Sequence, residues 1–286
     1  MKEQEKKQIT GELATYCDRF GSQNKAANSL KGVSTAIISQ MLNNNWDTIS
    51  DDMFRSVAAQ IGFRQNSWVT VETRGYKRMY SLLEDSQQNA EVFAITGDAG
   101  CGKSEAITSY TRTHKNVFMV SCSEYWNRKY FLVELLKAMG RESAGFTVAE
   151  MMDDVIFFLK RANCPLLIMD EFDKLTDQVL NFFITIYNAV NDHCGIVISS
   201  TNYLERRITR GLRSNRKGYS EIFSRFGRKF IPMPSVGDSD IAAVCMANGV
   251  QDVSTIEGII NDSDGDLRRV KRLIHASKKS FGKKNG

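Results

Sequence analysis

The sequence predicts an α/β fold in which a parallel β-sheet carries helices on both faces. Apolar runs of strand length alternate with helical segments between residues 90 and 234, a pattern typical of a parallel sheet. Residues 1–66 contain helical patterns with no strand between them, which indicates a small all-α domain before the sheet. Residues 67–89 are predicted to connect the two, and residues 235–286 to form a small helical lid with a basic tail.

Two helices separated by a turn are predicted between residues 23 and 46. Gly32 provides the turn, and Ser34 is suited to cap the second helix. The pair resembles the helix-turn-helix of phage repressors, which implies that the second helix contacts DNA. The contacting side chains are then expected to be Thr35, Ala36, Ser39, Gln40 and Asn43. The alternative is an ordinary three-helix bundle that uses the same packing for protein contacts.

The first predicted strand, Val92–Thr96, leads into an octapeptide that matches G-x-x-x-x-G-K-[ST] without a mismatch. The pattern predicts a phosphate-binding loop, in which glycines let backbone N–H groups surround phosphate oxygens before a helix begins. Lys103 is expected to reach the β- and γ-phosphates of ATP, and the Ser104 hydroxyl to bind Mg²⁺. The loop consists of Gly97, Asp98, Ala99, Gly100, Cys101, Gly102, Lys103 and Ser104.

Aromatic and basic residues follow the second predicted strand, Val117–Ser121. The segment 123–130 combines two tyrosines and a tryptophan with Arg128 and Lys129. Cations and aromatic rings together are suited to a nucleic-acid backbone, so Arg128 and Lys129 are candidate DNA contacts. The alternative is a helix start whose aromatic side chains pack on the core.

Two carboxylates end the third predicted strand. The run Leu166–Met169 is continuously apolar, as expected for a central parallel strand, and Asp170 and Glu171 follow it directly. Asp170 is the candidate for holding the Mg²⁺ water shell, and Glu171 for polarising the attacking water. Together with the phosphate loop, these residues predict a site that hydrolyses ATP.

A polar residue is also expected where the fourth predicted strand, Gly195–Ser200, ends. Asn202 is the first candidate for a hydrogen bond to the γ-phosphate and the lytic water, and Thr201 is the second.

Two arginine motifs complete a family resemblance. Ser224-Arg225-Phe226 precedes a fifth strand, and Gly265-Asp266-Leu267-Arg268 opens a basic helix. With the motifs above, the sequence resembles AAA+ ATPases. That resemblance implies that Arg225 reaches a γ-phosphate bound by a neighbouring subunit and that Arg268 contacts the phosphates in its own subunit. Both arginines could instead be solvated or bind nucleic acid, and Arg213, Arg216, Arg228 and Arg269 are competitors.

Composition limits the remaining possibilities. The 286 residues carry a net charge of +5, and basic residues cluster near the C-terminus, which suits a polyanionic partner or a solvated helix face. The six cysteines lack C-x-x-C spacing and no apolar stretch is long enough to span a membrane. We therefore expect reduced thiols, a cytoplasmic location in a bacterial or phage-infected cell, and no membrane partner. The three histidines form no metal-binding pattern, so Mg²⁺ is the only metal implied.

The order of the domains is similar to that of the transposition protein B family of phage Mu and its transposon relatives. The resemblance implies ATP-dependent binding to double-stranded DNA, helical homo-oligomers on that DNA, and activation of a partner transposase. It also implies that ATP hydrolysis releases the assembly. Two alternatives share the nucleotide motifs: a helicase loader or replication-initiation ATPase, and a helix-turn-helix transcription regulator switched by nucleotide.

Overall fold

The computed structural model describes residues 1–63 and 68–284, and of residues 280–284 it describes the backbone alone. The predicted boundary between residues 66 and 67 and the last two residues of the basic tail lie outside this part of the chain. The described N-terminal segment forms four helices: α1 (Glu3–Phe20), α2 (Gln23–Ser29), α3 (Thr35–Leu42) and α4 (Asp51–Ile61).

Serine side chains begin three of these helices. Ser22, Ser34 and Ser50 each accept a hydrogen bond from the backbone N–H three residues further on, which satisfies a donor that the first helical turn leaves free. The cap at Ser34 and the left-handed turn at Gly32 confirm the predicted start of the second helix of the pair. The four helices share a core that contains Ile9, Leu13, Ile38, Met41, Phe54 and Val57.

The described residues contain five strands: β1 (Val92–Thr96), β2 (Val117–Ser121), β3 (Leu166–Asp170), β4 (Gly195–Ser200) and β5 (Phe230–Pro232). They form one parallel sheet in the order β2-β3-β4-β1-β5. The central strands β3 and β4 are buried along their whole length, which explains their uninterrupted apolar runs. Because all five strands run in one direction, the segments that follow β1, β3 and β4 meet at the same edge.

Helices cover both faces of the sheet, as predicted. The helices are α5 (Arg74–Asn89), α6 (Lys103–Thr113), α7 (Arg128–Ala138), α8 (Val148–Arg161), α9 (Asp177–Val190), α10 (Asn202–Arg213) and α11 (Tyr219–Arg225). Leu166 and Ile168 of β3 point into a cluster with α5 and α6, whereas Leu167 and Met169 point into a second cluster with α7, α8 and α9. The alternation follows from the period of two in a strand.

Helix α5 lies within the predicted connector and packs against the sheet. Met79, Leu82 and Leu83 are buried in the cluster that also contains Ile95 of β1. The helix approaches β4 so closely that a Cβ atom at Gly195 would lie 2.1 Å from the Ser86 carbonyl oxygen. The second half of the connector is therefore physically part of the sheet's covering layer.

The C-terminal residues form three helices around their own small core: α12 (Asp238–Ala247), α13 (Val253–Ser263) and α14 (Leu267–Lys284). Ile241, Val244, Ile259, Val270 and Ile274 are buried there. Within the described part of the chain, no helix combines the length and the apolar character needed to cross a membrane.

The N-terminal helices pack against the core near the ends of α6 and α7. Arg112 of α6 donates a hydrogen bond from Nη2 to the Gly62 carbonyl oxygen, 2.6 Å away. Gly140, which follows α7, faces α2: a Cβ atom there would lie 2.7 Å from the Lys25 carbonyl oxygen and 3.0 Å from Cδ1 of Phe20. The helix that begins at the phosphate loop thus ends at the contact with the N-terminal helices.

Candidate nucleotide site

The loop between β1 and α6 has the backbone that a phosphate cradle requires. Gly100 and Gly102 adopt positive φ angles of 82° and 95°, a region that residues with a Cβ rarely enter. A Cβ atom at Gly97 would lie 2.9 Å from Cβ of Met233, and one at Gly100 would lie 2.0 Å from Oδ1 of Asp266. The loop therefore fits only with glycine at these positions, and it presents its N–H groups at the start of α6.

Lys103 and Ser104 begin α6 beneath this loop. The Lys103 side chain is buried, and its Nζ donates to the carbonyl oxygens of Gly97 at 2.7 Å and Asp98 at 3.0 Å. The Ser104 hydroxyl donates to Oδ2 of Asp170 at 2.6 Å. Asp170 is 2% exposed at the end of β3. A hydroxyl and a carboxylate side by side are oxygen donors of the kind that Mg²⁺ prefers, so Ser104 and Asp170 fit the metal.

Glu171 turns away from β3 in a left-handed conformation, with φ of 56°. Its Oε2 accepts a hydrogen bond from Nζ of Lys174 at 2.7 Å. This hydrogen bond raises the pKa of Lys174 above its ordinary value, so the ammonium group remains charged beside the carboxylate. Both side chains are partly exposed and line the same cavity as the phosphate loop.

The two candidates after β4 differ in what they contact. Asn202 donates from Nδ2 to Oδ1 of Asp98 in the phosphate loop at 3.1 Å. Thr201 caps α10 and donates to Oδ2 of Asp173 at 2.7 Å. The Asn202 side chain therefore contacts the loop, whereas the Thr201 hydroxyl contacts the turn after β3.

The phosphate loop opens into a cavity of about 370 Å³ that lies between the sheet and the C-terminal helices. Its lining includes Lys103, Ser104, Asp170, Glu171 and Arg268. The lid touches the loop directly, because the backbone N–H of Leu267 donates to the Gly100 carbonyl oxygen at 3.0 Å. Arg268 therefore comes from a separate helical unit to the same cavity as the strand-end carboxylates.

One wall of the cavity was missed by the sequence patterns. The segment from Trp68 to Val71 lines it, and Asn248 of the lid holds this segment. Oδ1 of Asn248 accepts from the Val69 N–H at 2.9 Å, and Nδ2 donates to the Val69 carbonyl oxygen at 3.0 Å. Lys271 lies 4.8 Å from the Trp68 ring centroid. A tryptophan directly before three β-branched residues in the connector was the available signal.

Arg225 lies at the end of α11 and is not among the residues that line this cavity. Its Nη2 and Nε donate to Oδ1 of Asn188 at 2.8 and 3.0 Å, and its guanidinium stacks 5.5 Å from the Tyr187 ring centroid. The structure therefore does not bring Arg225 to the phosphates of its own chain.

The candidate DNA contacts lie on two surfaces. Gln40 is exposed on α3, while Thr35 and Ser39 of the same helix are half-buried. Arg128 and Lys129 are exposed at the start of α7. The aromatic residues beside them are divided, because Trp126 is buried in the core whereas 73% of Tyr125 is exposed.

Comparisons with known proteins add a domain match and two similar relatives to this geometry. A family model described as an AAA domain matches residues 85–208. The ATP-dependent target DNA activators B of Escherichia phage Mu and Escherichia phage D108 are each 24% identical to the chain over 196 residues, which cover 66% of this chain and 60% of the relative. A crystal structure of NtrX from Brucella abortus in complex with ATP is similar with a TM-score of 0.47 and 14% identity, covering 85% of this chain and 56% of that one.

The family match contains the phosphate loop, the strand-end carboxylates and Asn202, and the five-stranded parallel sheet has helices on both faces. The chain matches less than two thirds of the length of the two phage activators. The family match confirms the AAA resemblance predicted from the motifs. The chain therefore matches an AAA domain over residues 85–208 and is similar in sequence to phage target DNA activators.

Proposed function

We propose that this protein binds ATP and DNA together and acts in DNA transposition as a target-DNA activator. The observation that carries the proposal is the convergence of Lys103, Ser104, Asp170 and Glu171 on one cavity. The names of the two phage relatives, ATP-dependent target DNA activators, support the role in transposition. We propose that residues 1–66 and the loop at Arg128 contact the duplex, and that a transposase is the protein partner.

The phosphate loop, Lys103 and Arg268 bind and orient the nucleotide. Bound ATP with Mg²⁺ supplies the transferable γ-phosphoryl group and the charge that activates it. Ser104 and Asp170 would hold the metal, and Lys103 would exchange its contacts with backbone carbonyls for phosphate oxygens. Asn202 orients the attacking water and Glu171 accepts a proton from it at a carboxylate oxygen. The water oxygen bonds to the γ-phosphorus as the bond to the β-phosphate oxygen breaks and ADP leaves.

We propose that a neighbouring subunit supplies a further cation to the site. Arg225 ends α11 away from the cavity of its own chain. A neighbouring subunit that docks this surface against the cavity completes the site, because fixed cations stabilise negative charge on the transferred phosphoryl group. In this proposal, ATP stabilises contacts between subunits along DNA, and hydrolysis releases them.

Electron microscopy of the protein with duplex DNA tests this function. With ATP and Mg²⁺ we expect helical filaments along the DNA, and without nucleotide we expect bare duplex. Isolated dimers at discrete sites would support a transcription regulator instead, and loading of a helicase on forked DNA would support a replication role. The Lys103→Ala variant is the control, because it removes the phosphate contact and leaves the proposed DNA surfaces intact.

A further inference from the structure

One arginine outside the nucleotide cavity contacts three segments: the turn after Glu171, the start of α9 and the start of α11. Arg207 lies on α10, and its side chain is 17% exposed. Its Nη1 donates to the carbonyl oxygens of Leu175 at 2.7 Å and Asp173 at 3.2 Å. Both carbonyls belong to the turn that directly follows Glu171, so one guanidinium nitrogen fixes the path of the chain after the candidate base.

The other nitrogens of Arg207 face the first residues of α9 and α11. Nη2 pairs with Oδ1 of Asp177, and Nε donates to the Tyr219 hydroxyl at 3.3 Å. That hydroxyl donates to the same Asp177 oxygen at 2.8 Å. The Tyr219 ring is 2% exposed and packs on Gly211, where a Cβ atom would lie 2.1 Å from Cδ1 of the ring. The network therefore holds the first residue of the helix that ends at Arg225.

Asp177 is the anionic partner of Arg207 in this network. Burial acts to raise the pKa of Asp177, but the hydrogen bonds from Arg207 and Tyr219 outweigh it and hold the pKa below its ordinary value. Asp177 therefore stays ionised at neutral pH and remains an acceptor for both partners. Arg216 pairs with the second oxygen of the same carboxylate, but its side chain is 61% exposed and it contacts neither turn carbonyl.

We propose that Arg207 is a positioning residue that fixes the Glu171 turn and the Arg225 helix relative to each other. Arg207 does not line the cavity, so it acts through the segments that it holds. The inference rests on the proposed hydrolysis site. In its own subunit, Arg207 positions Glu171, the candidate base. It also positions Arg225, the arginine finger that reaches the nucleotide of a neighbouring subunit.

Arginine suits this position for a geometric reason. A planar guanidinium offers five donors in a fixed fork, whereas an ammonium group offers three donors around a single point. Lysine at position 207 could keep the ion pair with Asp177, but it could not also reach both turn carbonyls and the Tyr219 hydroxyl. The Arg207→Lys variant therefore separates the charge from the bridging geometry.

The first test compares ATP turnover and ATP affinity in two variants of the network and one control variant. In Arg207→Lys we expect kcat to fall at least tenfold while the Kd for ATP changes less than twofold. Arg210→Lys, an exposed arginine on the same helix, is the matched control and should keep kcat within twofold. Tyr219→Phe keeps the packing, removes the shared hydroxyl, and should lower kcat by an intermediate factor. Unchanged kcat in Arg207→Lys, or equal losses of kcat and ATP affinity, would overturn the proposal.

The second test mixes variants, because the two roles belong to different subunits. Lys103→Ala supplies intact fingers and Arg225→Ala supplies intact bases, so their mixture should recover turnover. Arg207→Lys should fail to recover turnover with either partner. Recovery of turnover with either Lys103→Ala or Arg225→Ala would overturn the proposal that Arg207 positions both Glu171 and Arg225. If the Lys103→Ala and Arg225→Ala mixture itself stays inactive, the finger in trans is wrong, and the kcat of Arg207→Lys alone still decides whether Arg207 positions the base.

Discussion

Nζ of Lys174 lies 2.7 Å from Oε2 of Glu171, so the candidate base forms an ion pair three residues along its own chain. The exposed fractions are 37% for Lys174 and 40% for Glu171, and a pair this open contributes at most about 1 kcal/mol. The contact is therefore weak enough to break when substrates enter the cavity. It nevertheless occupies one of the two oxygens that could accept a proton from water.

Removing this ion pair should raise basal ATP turnover. In Lys174→Gln the carboxylate of Glu171 loses its competing partner, and we expect kcat without DNA to rise by about threefold, equivalent to roughly 0.6 kcal/mol of activation free energy. Steady-state phosphate release measures the change. A fall in kcat would mean that Lys174 helps to orient Glu171. It would contradict the idea that Lys174 competes with water for the carboxylate. Lys160→Gln on α8 is a charge-matched control.

The position of Arg225 predicts complementation between two inactive variants. Arg225→Ala should bind ATP normally and hydrolyse it at least about tenfold more slowly, because the cation that stabilises the transferred charge is missing. Lys103→Ala cannot bind phosphate properly but retains the finger. Phosphate release should therefore peak in mixtures of the two. Inactivity at every mixing ratio would exclude a finger that acts between subunits.

Gly140 should be essential for the contact between the N-terminal helices and the core. Gly140→Ala places a Cβ atom 2.7 Å from the Lys25 carbonyl oxygen, in addition to the backbone strain of a φ of 67°. Gly145→Ala is a matched control, because its φ is 81° and nothing lies within 4 Å of the added atom. We expect the free energy of unfolding to fall by about 1–3 kcal/mol more in Gly140→Ala. If urea denaturation shows that both variants lose the same free energy of unfolding, the contact between Gly140 and Lys25 can accommodate the added methyl group.

The thiols offer a test of the core. Cys164 is exposed and the other five cysteines are buried. Burial also raises the pKa of Cys17 to about 11 and that of Cys194 to about 12, which lowers the reactive thiolate fraction further. Ellman's reagent should therefore label one thiol quickly in the native protein and six in denaturant, and Cys164→Ser should abolish the fast phase. Two or more fast thiols would mean that a buried cysteine is accessible.

The strands and the phosphate loop could be predicted because their signals are local. The run Leu166–Met169 is apolar because both faces of β3 are covered, and the glycines of the loop mark positions that exclude a Cβ atom. These causes lie within a few residues of their effects. The sequence alone therefore sufficed to predict that Lys103 lies beside the strand that ends at Asp170.

The missed features depend on partners that are distant in the chain. Asn248 meets Val69 only after the lid folds back, and Arg207 meets Leu175 and Tyr219 only after three helices pack. Neither residue belongs to a recurring pattern, since an asparagine near a helix end and an arginine on a helix are common. The covering role of α5 was missed for the same reason, because its amphipathic pattern does not identify the sheet as its partner.

The central claim is that ATP in this cavity controls binding to DNA, and fluorescence anisotropy of a labelled duplex tests it most directly. Wild-type protein should bind at least about tenfold more tightly with ATP and Mg²⁺ than with ADP or no nucleotide. Glu171→Gln should hold ATP and dissociate from DNA more slowly than wild type, because it retains the nucleotide contacts and loses the base. Equal DNA affinity in all three nucleotide conditions, with Glu171→Gln dissociating as fast as wild type, would contradict the account.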